Sequence, residues 1–248
     1  MKSRFAVLVF FLGASLLALE TRATDKDAGK EKTAIVDSGS FAILVNGRRV
    51  ATESFRMEQH NGSNTVSSEL RSEGSKSMQS AEMEVGADGA LKRYVWKEVN
   101  PGKAQIVVEP QDSEFLVAHI SDDGAAPKDV THPLSPAVTS IVDDNFFSQL
   151  QVLAWKYMVM GCHKLTLMEN RCKWTELKLP IFNPHQQQSL VVTLNFAGRQ
   201  NIKWKGSLHE FNTFRFTTEA GEWMLWFDDQ QKLVRILIAA DNTEVLRD

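Results

Sequence analysis

The chain has 248 residues, 43% of them hydrophobic and 24% charged, a globular balance that excludes disorder along the whole length. Lys and Arg number 28 against 31 Asp and Glu, for a net charge of −3 with no long basic run, so nucleic acid is not an expected partner. Two cysteines cannot staple a fold of this size, which must stand on its own core.

The first element is an address. Lys2 and Arg4 precede an apolar run over residues 5–19, and the small residue Ala23 follows Thr21 and Arg22. A charged start, an apolar stretch and a small-residue exit make residues 1–23 a secretory signal peptide. The run falls short of the roughly 20 residues that cross a bilayer comfortably, and a retained anchor is the alternative. No cysteine lies near the exit, which disfavours a lipid-anchored lipoprotein. No later apolar run approaches the ~18 residues of a span, so none is expected in the mature chain. Cleavage would remove Lys2, Arg4, Arg22 and Glu20, taking the charge from −3 to −5. The protein is read as exported, periplasmic or extracellular.

Residues 24–35 are polar and read as a flexible leader. Alternation then begins. Phe41, Ile43 and Val45 point one way, and Asn46-Gly47 is a strong hairpin signal. Residues 50–57 return, Asn61-Gly62 turns again, and Met83 and Val85 alternate with Glu82 and Glu84. Further strands follow over 91–99, 106–109 and 114–120, separated by Gly- and Pro-containing turns. Residues 121–136, with Asp122-Asp123-Gly124 and three prolines, are the one long loop expected.

That loop leads into the single expected helix, with Asp143 or Asp144 as its cap. At 100° per residue, Phe146, Phe147, Leu150, Leu153, Ala154, Tyr157 and Met158 form one stripe within about 140°. Lys156 is expected to face water. Val152 and Trp155 fall nearly opposite the stripe, so the helix is expected to be partly wrapped.

Strands then resume. Leu190, Val192, Leu194 and Phe196 alternate, Ala197-Gly198-Arg199-Gln200 reads as a turn, and Lys205-Gly206 as another. Residues 208–217, 223–227 and 233–240 are further strands, the last apolar on both faces and so central. A short strand closes the chain. One helix between two strand series, without βαβ alternation, predicts a mostly β fold. The expected architecture is a curved antiparallel sheet or half-barrel wrapping the helix, in a single domain over residues 36–248.

The opening Gly39-Ser40-Phe41-Ala42-Ile43-Leu44-Val45-Asn46-Gly47 hairpin and the closing Trp223-Met224-Leu225-Trp226-Phe227-Asp228 strand, behind a signal peptide, resemble exported bacterial proteins of unknown function. Those are similar in outline to lipoprotein-carrier half-barrels of the LolA and LolB type. The resemblance spans residues 36–248 and rests on strand order and turn chemistry. It implies a curved antiparallel sheet over an apolar cavity that shields an acyl chain. The chain departs from that pattern in showing one clear helix, and the carriers' ligand-facing arginine finds no counterpart.

Cys162 and Cys172 lie ten positions apart, and in an oxidising compartment a disulfide is their expected fate. A tight turn at Glu169-Asn170-Arg171 would put Cys172 opposite Met168, so a bridge requires the loop to fold back around Leu167 or to be irregular. A metal site of Cys162, His163 and Cys172 lacks the CxxC spacing of zinc sites. The histidines show no HExxH, HxH or HxxxH spacing, and no GxSxG elbow, P-loop or GxGxxG occurs. His119 and His209 lie in strands and would meet only across a sheet. Glu82 and Glu84 read as a solvated face, and Asn61-Gly62-Ser63 as a glycosylation acceptor that matters only in a eukaryote.

Aromatic residues crowd residues 211–227. Phe214 and Phe216 share a face, with Phe211 on the other; Trp223, Leu225 and Phe227 share one face, and Met224 and Trp226 the other. The expected function is non-enzymatic: a lipid or acyl chain held in a concave cavity lined by Phe146, Phe147, Leu150, Phe214, Phe216, Trp223 and Leu225, or a protein partner held by the open sheet. The alternative is a structural or envelope-assembly protein with a filled core, and an enzyme using scattered residues is the third reading. No metal or cofactor is expected.

Overall fold

Period-two alternation and turn chemistry build nearly the whole wall of this protein. The structure, a computed structural model, describes residues 33–60, 62–164, 170–172 and 176–248. The expected signal segment, most of the expected leader, and Asn61 lie outside them. Eight strands come first: β1 (Ala34–Val45), β2 (Arg48–His60), β3 (Ser63–Ser72), β4 (Met78–Gly86), β5 (Leu91–Asn100), β6 (Gln105–Pro110), β7 (Leu116–Ser121) and β8 (Lys128–His132). A two-residue strand, β9 (Ser140–Ile141), leads to the helix α1 (Ser148–Gly161). A small hairpin follows, β10 (Cys162–Lys164) and β11 (Asn170–Cys172). The chain ends with β12 (Leu177–Asn183), β13 (Gln188–Trp204), β14 (Ser207–Thr218), β15 (Gly221–Phe227), β16 (Leu233–Ile238) and β17 (Thr243–Arg247).

Fifteen of the strands form one curved, unclosed sheet in the order β8-β7-β6-β5-β4-β3-β2-β1-β17-β16-β15-β14-β13-β12-β9. Every pairing is antiparallel except β9 on β12. The fold is mostly β with one α-helix among the described residues, as the alternation predicts. The turns follow from their residues: Asn46 and Gly47 both hold positive φ (50° and 75°), as do Lys205 and Gly206 (46° and 89°). Two consecutive left-handed residues make the tight turn whose twist matches that of the flanking strands.

Three expectations change here. The expected loop over residues 121–136 contains β8, which pairs with β7 from Leu116↔His132 to Ile120↔Lys128. The expected turn at 197–200 is instead the interior of β13, bulged where its register shifts between Phe196 and Gly198. Gly198 holds φ at 95°, so the glycine that reads as a turn relieves a bulge. β1 begins at Ala34, two residues inside the expected leader.

The helix lies within the curve. Its stripe is buried as its periodicity predicts: Phe146 (1% exposed), Leu150 (1%), Leu153 (2%), Ala154 (0%) and Tyr157 (0%) join one core with Phe41, Phe55, Tyr94, Leu194, Phe214 and Phe227. Each large apolar side chain in it contributes about 1.5–3 kcal/mol. The helix is partly wrapped beyond its stripe: the flanking Gln149 and Gln151 are buried and the Trp155 indole donates to the Gln231 carbonyl at 2.7 Å, while Val159 on the last turn is exposed. Lys156 does not face water. It is half-buried, its ammonium donates to Val138 O at 2.9 Å, and desolvation holds its pKa below the usual 10.5.

Candidate functional site

The seven residues expected to line a cavity come together, on the inner face of the wall and on the helix. Phe147 is 8% exposed and Phe146, Leu150, Phe214, Phe216 and Leu225 each 1%; Trp223 packs against the same core half-buried. Their rings engage one another. Tyr157 meets Phe214 edge-on at 5.5 Å between centroids, Phe214 meets Phe227 at 5.3 Å, and Phe216 lies 5.2 Å from Trp223. None of the seven lines either of the two grooves described below.

Three polar residues on adjacent strands break the apolar inner face, and each fastens the helix. On β2, Ala51, Glu53, Phe55 and Met57 share the inward parity, and Glu53 is wholly buried. Its carboxylate accepts the backbone N–H of Phe147 at 2.7 Å and of Ser148 at 3.2 Å. Glu53 therefore caps α1, in place of the expected Asp143 or Asp144. Burial pushes its pKa above the usual 4.5, against the lowering effect of those hydrogen bonds. On β3, the buried Ser68 hydroxyl lies 2.8 Å from that of Ser148. On β1, Asp37 accepts from Gln151 Nε2 at 2.7 Å and from Arg247 at 2.7 and 3.0 Å, with Lys232 at 3.4 Å. Burial alone would raise the Asp37 carboxyl, but the Arg247 and Gln151 hydrogen bonds and the nearby cations hold it below the usual 3.8. Gln151 also accepts the N–H of Leu233 at 2.8 Å. These contacts fix the helix in register with both halves of the wall.

A fourth polar group sits before the helix. The Tyr94 hydroxyl donates to Asp143 Oδ2, and His185 Nδ1 lies 3.0 Å from the same oxygen. The His185 ring packs edge-on against Trp96 at 4.6 Å. Burial would lower the His185 pKa, but Asp143 and the charge of Asp144 raise it above the usual 6.5. Sequence reasoning singled out His119 and His209 instead. His119 is half-buried, 2.8 Å from Asp129, and β7 and β14 lie far apart in the strand order, so those two histidines do not meet. A polar residue at an inward-parity position, as Glu53 is, was the signal available for the missed anchors.

Cys162 and Cys172 stand opposite each other in the β10–β11 backbone register, with His163 opposite Arg171 and Lys164 opposite Asn170. The two cysteine side chains lie outside the described ones.

The grooves are on the outer face. One, of about 430 Å³, crosses β2 to β5, with Ser54, Ser67 and Ser80 between the longer Arg56, Glu82 and Lys97. The other, of about 620 Å³, is bounded by Ala42 and Leu44 of β1, Leu246 of β17, and Lys203 and Trp204 near the tip of the β13–β14 hairpin. Beside it the hairpin folds over the outer wall. Phe211, Trp226 and Val234 are buried in a second, small apolar cluster that Ile202, Trp204, Met224 and Leu237 complete. The alternation that splits Trp226 and Met224 from Trp223 and Leu225 thus serves two cores, one on each side of the sheet.

No family model matches the chain, and no curated protein sequence matches it. Among solved structures it is similar to a β-barrel-like protein of domain of unknown function DUF1849 from Brucella abortus, at 8% identity and a TM-score of 0.46, covering 87% of this chain and 97% of that one.

Proposed function

We propose that this chain is an exported, non-enzymatic binding protein that engages its ligand or partner on the outside of its wall. The observation that carries this is the occupied interior. Six of the seven residues expected to line an inner cavity are at most 8% exposed, and the helix between them is tied to the wall through Asp37, Glu53 and Ser68. An acyl chain held inside, as in the lipoprotein carriers, would have to displace that helix. The outer grooves need no such displacement, and both fall in the ~300–1,000 Å³ range of small-molecule clefts.

Tryptophan reports on both sides of the wall. With 5-fluorotryptophan incorporated, Trp204 and Trp226 read the outer face, and Trp155 and Trp223 the inner. Titration with the neutral apolar probe N-phenyl-1-naphthylamine is expected to shift the outer pair's fluorine resonances saturably. Shifts confined to Trp155 and Trp223 would instead place the ligand inside and overturn the proposal.

A further inference from the structure

An outer face of a curved antiparallel sheet usually meets water, yet here part of it is apolar. Inward residues of β1 and β15 to β17 (Ile43, Leu225, Ile236, Val245) belong to the main core, while Ala42, Trp226, Leu237 and Leu246 have the outward parity. The β13–β14 hairpin covers Trp226, Val234 and Leu237. It stops at the Lys205-Gly206 turn and leaves the 620 Å³ cleft, whose apolar surfaces are Ala42, Leu44, Leu246 and Trp204.

The charge around this cleft is not that of the chain. Five cationic residues line it, against Glu244 and Asp248, in a protein of net charge −3. Three of the five are committed: Arg235 to Glu244 at 2.6 Å, Arg247 to Asp37 at 2.7 Å, and Arg49 to Asp248. Lys203 and Lys205 are exposed and form no ion pair with a described carboxylate, and the Lys205 ammonium stands 5.5 Å over the Trp204 ring. Two cations without a carboxylate partner at the lip of an apolar cleft suit a ligand with the opposite charge at one end and a hydrocarbon body.

We propose that this cleft binds an anionic amphiphile: a single alkyl chain laid against Leu44, Leu246, Ala42 and Trp204, its head group held by Lys203 and Lys205. The inference rests on the outer-wall reading and narrows it to one groove and one ligand chemistry. Affinity should rise about threefold to fourfold for each methylene desolvated.

The test is calorimetric titration of the purified protein with octanoate and decanoate, each kept monomeric, beside decyl phosphate and neutral 1-decanol. Decanoate and decyl phosphate are expected to bind saturably, at least tenfold more tightly than decanol, with octanoate weaker than decanoate. The double variant Lys203→Gln/Lys205→Gln, a surface change that leaves the fold intact, should bring decanoate down to the level of decanol. Leu44→Glu should abolish both. Equal binding of decanoate and decanol, or a double variant that binds like the wild type, overturns the inference. If the neutral naphthylamine still shifts Trp204 while decanoate does not bind, only the anionic inference fails. If decanoate binds but moves Trp155 and Trp223 alone, the outer-wall reading fails with it.

Discussion

Glu53 reaches the first turn of α1 from a strand 94 positions earlier, and its removal shows what the helix owes to the wall. Glu53→Ala strips the acceptor from two buried N–H groups, those of Phe147 and Ser148. Each unsatisfied donor costs about 1–3 kcal/mol, offset in part by removing a desolvated carboxyl, so a loss of ~2–5 kcal/mol is expected. Glu53→Gln keeps the shape and one acceptor oxygen and should cost ~1–2 kcal/mol. The sign of the pH dependence follows from the raised pKa. The folded state holds the Glu53 proton after the unfolded state has lost it, so this carboxyl's contribution is full below pH 4.5 and is lost as pH rises through the folded value. The stability gap between wild type and Glu53→Gln should therefore shrink as pH rises above 4.5 and through the raised folded value. Urea unfolding followed by far-ultraviolet circular dichroism measures it. A Glu53→Ala cost below ~0.5 kcal/mol, the range of ordinary surface changes, would refute the capping role, and a gap that widens with pH would refute the electrostatic account.

Four further outcomes are expected. Arg247→Met leaves Asp37 buried with Gln151, Lys232 and the Ser38 N–H but without its guanidinium, and should destabilise by ~3 kcal/mol in urea unfolding at neutral pH. Asp37, with its lowered pKa, contributes stability that is present above pH 3.8 and lost as pH falls through its folded value, so Asp37→Asn should flatten acid unfolding there. His185, with its raised pKa, contributes stability that is full below pH 6.5 and lost as pH rises through its folded value; thermal melts of His185→Gln should lack that alkaline decline. Thiol labelling of the unfolded, unreduced protein should find no free thiol at Cys162 or Cys172, whereas two labelled cysteines would refute the bridge.

Local signals carried the wall and long-range ones did not. Asn46-Gly47 and Lys205-Gly206 read as turns because only a few residues tolerate two successive positive φ angles, and they are turns. The helix stripe from Phe146 to Tyr157 was legible because burial on one side imposes a 3.6-residue period. Ala197-Gly198-Arg199-Gln200 misled because glycine serves a bulge as readily as a turn, and only the partner strand decides which. The cap on α1 was assigned to the nearest carboxylates, Asp143 and Asp144, since nothing local shows that Glu53 arrives from another strand. Lys156 was placed in water by its charge, although its ammonium finds the Val138 carbonyl and the Ser140 hydroxyl as acceptors. The seven cavity candidates were found as a set because they share parity and stripe. Whether such a set encloses space or fills it depends on volumes that a pattern of residue types does not encode.

The seam between β1 and β17 governs the order in which this wall can be built. Each half is a run of hairpins between sequence neighbours, which local diffusion brings together quickly. The seam instead joins Phe41 to Arg247 and Val45 to Thr243, and its closure costs an entropy of about 5 kcal/mol for a loop of this length. Until it closes, β1 and β17 each present a bare strand edge, and Asp37 has no Arg247. A chain emerging from its N-terminal end would hold a half-wall whose β1 edge stays bare until the five-residue strand β17 arrives. That interval is when self-association is most dangerous, and when a holding chaperone would have most to protect.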